Sequence, residues 1–246
     1  MFNIYKASVL RLIKNLPFII GCLIAIGATY FITNTGLKLE FIENLSHEER
    51  MFFASAAMAL YFSFFTTIFV PVEYADGVIR NRIISGFSQK QIYFAHLFTQ
   101  YTAVLIMHVF YLAGGLLGGA RFTGKGMLKV LVFFISLLAY VTITNLIAFR
   151  VKKVIVSTII TMVMFNGCFN LVMFGNVILS FVLDDKYFKV GEVIYNLNIL
   201  GQWFSNTRYA ESFVNPGSGI QLIESASILI LIAILGSIGL KKRELK

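Results

Sequence analysis

Residues 154–183 read VIVSTIITMVMFNGCFNLVMFGNVILSFVL, thirty positions without a charged side chain. As one helix this run would measure about 45 Å, against a hydrocarbon layer of about 30 Å. A soluble core has no use for so long an uncharged segment. Gly167, Gly175, Asn166, Asn170 and Asn176 punctuate it, so the sequence predicts a membrane span from 154 to about 174. A turn and a short re-entrant piece are expected to follow.

The rest of the 246-residue chain agrees. Apolar residues make up 58% and charged ones 13%, with a mean hydropathy of +0.80. Soluble domains run nearer ~45–50% and ~25%, so both a soluble domain and a disordered chain are excluded. Further spans are expected at about 17–32, 51–72, 92–119, 128–149 and 221–240. The expected fold is therefore an all-α membrane protein, a single permease-like domain over 1–246 with six spans. Residues 2–16 place Phe2, Tyr5, Val9, Leu12 and Leu16 at helical spacing, as an interfacial amphipathic helix or the first turns of span 1 would. Ser46–Glu49, Ser88–Gln91 and Ser218–Gln221 each read as a capping box opening a span. Trp203 and Tyr209, in the outer segment before span 6, suit the membrane interface.

Charge placement gives an orientation. If the ends alternate, the N-terminal side collects Lys6, Arg11, Lys14; Arg80, Arg82, Lys90; Arg150, Lys152, Lys153; and Lys241, Lys242, Arg243, Lys246. That side holds 13 basic and 3 acidic residues, the other 8 and 8. The positive-inside rule then puts both termini in the cytoplasm. It also accounts for the net charge of +9, leaving no basic groove for nucleic acid.

Few motifs carry chemistry. Gly119 to Gly126 approaches a phosphate-binding loop, but Gly126 stands where Ser or Thr must hold magnesium. It reads as a turn, and the chain has no nucleotide site. Cys22 and Cys168 lie inside apolar runs, and His47, His96 and His108 are scattered, so no metal site is expected. No hydrolase signature is present, which argues against an enzyme. Gly114, Gly115, Gly118 and Gly119 form small-residue pairs suited to helix packing or a dimer contact. Glu224 lies a turn inside span 6. It reaches the outer interface or lines a substrate path.

The segment Glu73 to Gln91, between spans 2 and 3, is the most telling. Asp76 can cap a short helix, Val78, Ile79, Ile83 and Phe87 form its apolar stripe, and Arg80 and Arg82 lie off that stripe. Gly86 can end it, and Ser88 begins the next helix. A short amphipathic helix at 76–86 is expected on the cytoplasmic side.

Along nearly its whole length the chain resembles the permease family of ABC-2 type ATP-binding-cassette transporters. Six spans, cytoplasmic ends and an N-terminal interfacial helix are shared. So is an acidic residue, Gly, a hydrophobic-Arg stretch, Gly-x-Ser and Ile, here Glu73, Gly77, Ile79, Arg80, Gly86, Ser88 and Ile92. The outer re-entrant segment and the tail Lys241-Lys242-Arg243 complete the likeness. Gln89-Lys90 stands where many members carry Arg. The resemblance implies a bacterial exporter subunit in the cell membrane, paired with an identical or paralogous permease. Two cytoplasmic ATPase subunits, which hold ATP and Mg, would couple through Glu73, Asp76, Gly77, Ile79, Arg80, Arg82, Ile83, Gly86, Phe87 and Ser88. Small permeases of this size resemble those for antimicrobial-peptide immunity or peptide export. Two other readings stand beside it: an ion-coupled carrier using Glu224, and a non-transporting membrane sensor or anchor.

Overall fold

The computed structural model describes residues 1–34, 44–181, 185–207 and 215–240. Lys38, Glu40, Glu43, Asp184, Arg208, Tyr209, Glu211 and the tail from Lys241 lie outside them, as do the side chains of 180, 181, 185 and 186. The described residues form helices α1 (Phe2–Ile13), α2 (Leu16–Thr33), α3 (His47–Ala54), α4 (Ala56–Ala75), α5 (Val78–Ile84), α6 (Gln89–Leu117), α7 (Gly124–Val151), α8 (Val154–Phe181), α9 (Asp185–Asn196), α10 (Ile199–Ser205) and α11 (Ser218–Ser237).

Six rods are long and apolar enough to cross a bilayer: Leu16–Thr33, His47–Ala75, Gln89–Leu117, Gly124–Val151, Val154–Leu179 and Ser218–Ser237. The protein is built as a multi-pass membrane protein. Polar side chains are buried in its interior while large apolar ones cover much of its surface. Ser63, Thr66, Thr67, Gln100, Thr142 and Asn145 are buried, while Leu23, Ile24, Ile155, Val163 and Leu231 face outward. Lipid supplies no hydrophobic drive for helix association, so close packing and interhelical hydrogen bonds must hold the bundle. Central α7 touches α4, α6, α8, α10 and α11. Ser63 and Tyr140 hydroxyls lie 2.5 Å apart between α4 and α7, and Thr161 Oγ1 of α8 donates to the Ser63 carbonyl at 3.0 Å.

Pro71 shows the same logic. It has no N–H, so the Thr67 carbonyl loses its helical donor. Ser157 Oγ of α8 donates to that carbonyl at 3.1 Å, so this acceptor is not stranded in the apolar layer.

Several details differ from the sequence reading. The fifth span does not stop near Phe174; α8 runs on to Phe181. Asn170 Nδ2 donates to the carbonyl and Oδ1 of Asn166 one turn back. The polar side chains thus satisfy themselves on the helix instead of breaking it. Gly175 gives room for the Tyr195 ring. The two expected capping boxes at Ser46–Glu49 and Ser88–Gln91 form, but the third does not. Gly217, at φ 96°, makes the turn into α11, and Gln221 is drawn into a buried network. Its Nε2 reaches Asn196 Oδ1 and Ser205 Oγ, and its Oε1 accepts from Asn206. Trp203 is half-buried and donates from Nε1 to the Phe52 carbonyl at 3.2 Å.

Helix α1 is separate from α2, whose first turn is capped by Asn15 accepting from the Phe18 amide. Its buried face is Ile4, Ser8 and Leu12, while Phe2 and Leu16 are exposed. The inward face is rotated from the expected stripe because Ser8 and Arg11 turn toward charged partners.

The loops sort to two ends. At one, α1, the α4–α5–α6 connection, the α7–α8 turn and the last turn of α11 meet. Arg150 there donates to the carbonyls of Leu235, Gly236 and Ile238. At the opposite end His47 Nδ1 lies 3.0 Å from the Thr33 carbonyl and 3.2 Å from that of Gly118.

Candidate functional site

Helix α4 ends against its own dipole. Glu73 and Asp76 sit in its last turn and at its C-cap, where negative charge is unfavourable. Cations must gather there, and they do. Asp76 is the C-cap of α4 and not the N-cap of α5; Gly77, at φ 71°, makes the reversal and stands as α5's N-cap. A left-handed position of this kind suits glycine. The reversal lays α5 back beside the end of α4 and aims Arg82 inward.

Arg82 Nη1 donates to Glu73 Oε2 at 2.9 Å, and its Nη2 donates to Ser8 Oγ of α1 at 3.1 Å. His96 Nε2 of α6 lies 3.0 Å from the same Glu73 oxygen and 3.1 Å from Arg82 Nη1. Arg11 of α1 reaches Glu73 Oε1 at 3.4 Å and donates to Asp76 Oδ2 at 3.1 Å. The Glu73 side chain is 0% exposed and that of Arg82 14%. Two carboxylates and two guanidiniums thus balance, and four helices, α1, α4, α5 and α6, share one charge cluster. Buried charge is tolerated only when paired and hydrogen-bonded.

The far end of α5 closes by a Schellman turn. The Gly86 amide bonds the Ile83 carbonyl and the Phe87 amide that of Arg82, with Gly86 at φ 88°. Ser88 then caps α6. Ile79 is buried and Ile83 and Phe87 pack against the core. Arg80, Asn81 and Ile84 make the outward face, and Ile84 is 69% exposed. The two arginines of the segment therefore differ. Arg82 ties α5 to the bundle, and Arg80 stands in the open.

The remaining candidates lie elsewhere. A side chain at Gly114 would strike the Ile26 carbonyl of α2, one at Gly118 would meet Thr33, and one at Gly115 would meet Met51. These glycines let α6 approach α2 and α3 within the chain. Gly119, at φ 98°, forms the turn beyond α6. Glu224 is half-buried in α11, and among the described residues neither of its carboxylate oxygens has a hydrogen-bond partner. Among the described residues no group of three His, Cys, Asp or Glu could hold a metal. Sequence reading did not anticipate Ser8, Arg11 or His96 as members of the cluster. Arg11 and the acids were each visible, but their pairing joins residues 65 positions apart.

No family model matches the chain, no curated protein is significantly similar to it, and no solved structure matches it.

Proposed function

We infer that the chain is the membrane-spanning permease subunit of a bacterial ABC-2 type exporter. ATP, with Mg, would be hydrolysed by two cytoplasmic ATPase subunits, and a second permease, identical or paralogous, would complete the path. The observation that carries this reading is the two-faced α5. One face is bound to α1, α4 and α6 through Arg82, and the other presents Arg80, Asn81 and Ile84. A short helix held this way can pass a push from a cytoplasmic partner into several spans at once. Gly77 and Gly86 fix its two ends. The end bearing α1 and α5 would be cytoplasmic, as the basic clusters require. α1 would lie in the interface, and α9–α10 would form the outer re-entrant segment. By analogy with small permeases of similar layout, an amphipathic peptide of the antimicrobial class is the proposed substrate.

Gentle-detergent isolation of the tagged chain from its own membrane, with mass spectrometry of what accompanies it, tests this reading. Recovery of an ATPase bearing a phosphate-binding loop is expected. Recovery of the chain alone, under conditions that preserve a known ABC complex, counts against it. Arg80→Glu should uncouple substrate-stimulated ATP hydrolysis while the bundle stays folded.

A second reading has its own observation. An unpaired carboxylate within a span is costly and usually functional, and among the described residues Glu224 has no hydrogen-bond partner. It favours an ion-coupled carrier. Normal transport by Glu224→Gln in a proton gradient would eliminate that reading.

A further inference from the structure

At the end of the bundle opposite α5, a cavity of about 330 Å³ opens among α3, α7 and the end of α10. That is the small end of the size range for ligand sites. Its walls carry both signs of charge beside aromatic surface. Glu48, Glu49 and Phe52 come from α3, Lys125 and Lys129 from α7, and Asn206 from the end of α10.

The walls are built. Glu48 crosses from α3 to the cap of α7, where its Oε1 accepts from the Thr123 amide and hydroxyl at 3.1 Å each. This crossing needs glycine at 126, where any side chain would collide with the Glu48 carboxylate. Glu49 Oε2 accepts from the Ser46 amide at 2.8 Å. Asn206, 2% exposed, donates to the Gln202 carbonyl and to Gln221 Oε1, both at 2.8 Å. Phe52 is held by Trp203 through its carbonyl. A site fixed in advance loses less entropy when it binds.

The chemistry of the lining selects the ligand. A pure anion would meet Glu48 and Glu49, and a pure cation would meet Lys125 and Lys129. Only a head carrying both charges faces opposite charge throughout, and Phe52 takes an apolar body. The depth fits as well. Ser46 and Thr123 are the N-caps where two membrane-crossing rods begin, which is the level of lipid headgroups.

We propose that this cavity binds an amphipathic zwitterion, a small head with an ammonium and an acidic group on an apolar body. A phosphoethanolamine lipid head and a short peptide with free ends both carry that chemistry.

The full chain is reconstituted in phosphatidylglycerol nanodiscs, because phosphatidylcholine is itself a zwitterion. Lipid retention is read by native mass spectrometry as phosphatidylethanolamine is added. A second arm titrates a short amphipathic peptide with free ends into discs lacking phosphatidylethanolamine. Saturable binding of the ethanolamine lipid over the glycerol lipid identifies the lipid source, and binding of the peptide alone identifies the peptide source. Lys125→Gln changes an exposed side chain, so it preserves the fold. It should weaken either ligand about fivefold, the scale of one partly exposed charge pair. Glu48→Gln should do the same. Retention of neither ligand above phosphatidylglycerol, or equal affinity in wild type and Lys125→Gln, overturns the proposal.

Discussion

Replacing Arg82 by Met keeps the unbranched stem of the side chain and removes its charge and donors. It breaks the 2.9 Å bond to Glu73 and the 3.1 Å bond to Ser8. Breaking a buried ion pair costs roughly 3–5 kcal/mol. Glu73 keeps Arg11 at 3.4 Å and His96 at 3.0 Å, which places the loss at the low end, about 3 kcal/mol. The cost falls on local opening, since Arg82, Ile79 and Ile83 hold the seven-residue α5 to the bundle. At ~1.4 kcal/mol per decade, opening should become about 10²-fold more frequent. Hydrogen exchange reads it directly. The amides of Asn81 and Ser85, bonded to the Gly77 and Asn81 carbonyls at 2.9 Å, should lose about two decades of protection, while amides in the middle of α7 keep theirs. Arg80→Met, at an exposed position, should change exchange by less than a factor of about three. Equal protection of α5 in Arg82→Met and Arg80→Met would refute the claim that Arg82 is the tie. A double-mutant cycle with Glu73→Gln should return a coupling above about 1 kcal/mol.

Gly114→Leu should force α2 away from α6, because the side chain meets the Ile26 carbonyl. A loss of about 2–3 kcal/mol is expected, seen as a lower midpoint in detergent unfolding. Gln221→Leu takes one partner each from Asn196 and Ser205, which keep one another, and strands the Asn206 N–H that Gln221 Oε1 accepts. At ~1–3 kcal/mol per stranded group, α10 should open first, with hydrogen exchange at the Gln202 amide, bonded to the Asn198 carbonyl at 2.9 Å, as the readout. Arg150→Ala removes the donor that covers the last carbonyls of α11. Faster exchange confined to Leu235–Ile238 is expected, and unchanged exchange there would contradict the assignment.

Spans were readable because hydropathy over twenty residues is a property of the segment alone. Ser46 and Ser88 were readable as caps for the same reason, since their partners Glu49 and Gln91 lie three residues away. Ser218 followed the same pattern and failed. Its Gln221 found better acceptors and donors from Asn196 to Asn206, contacts that no local pattern contains. Gly77 and Gly86 marked the two turns around α5, but Asp76 went to Arg11 and not to the α5 amides. In the charge cluster the sequence named Glu73 and Arg82. It could not show that Arg82 points inward and Arg80 outward. Both lie off the apolar stripe, and the positions of Glu73, Ser8 and His96 on three other helices decide between them. The extent of α8 was missed because Asn166 and Asn170 were read as breakers, whereas they bond along the helix.

The cluster that joins α1 to α4 and α5 also sets an order of assembly. Asp76 is made 65 residues after Arg11. At ~5–20 residues per second, α1 waits about 3–13 s for its partner. His96 and Thr102, which Tyr5 meets at 2.8 Å, come later still. During that interval α1 is an amphipathic helix with Ser8 and Arg11 unmatched, free to lie on the membrane surface. Its docking therefore reports that the third span has arrived. With Ser8→Cys, a nascent chain halted before Glu73 should leave the thiol at position 8 open to maleimide labelling, and one extended past Thr102 should close it. The ion cluster thus ties the docking of α1 to residues made after it, as well as joining four helices of the finished bundle.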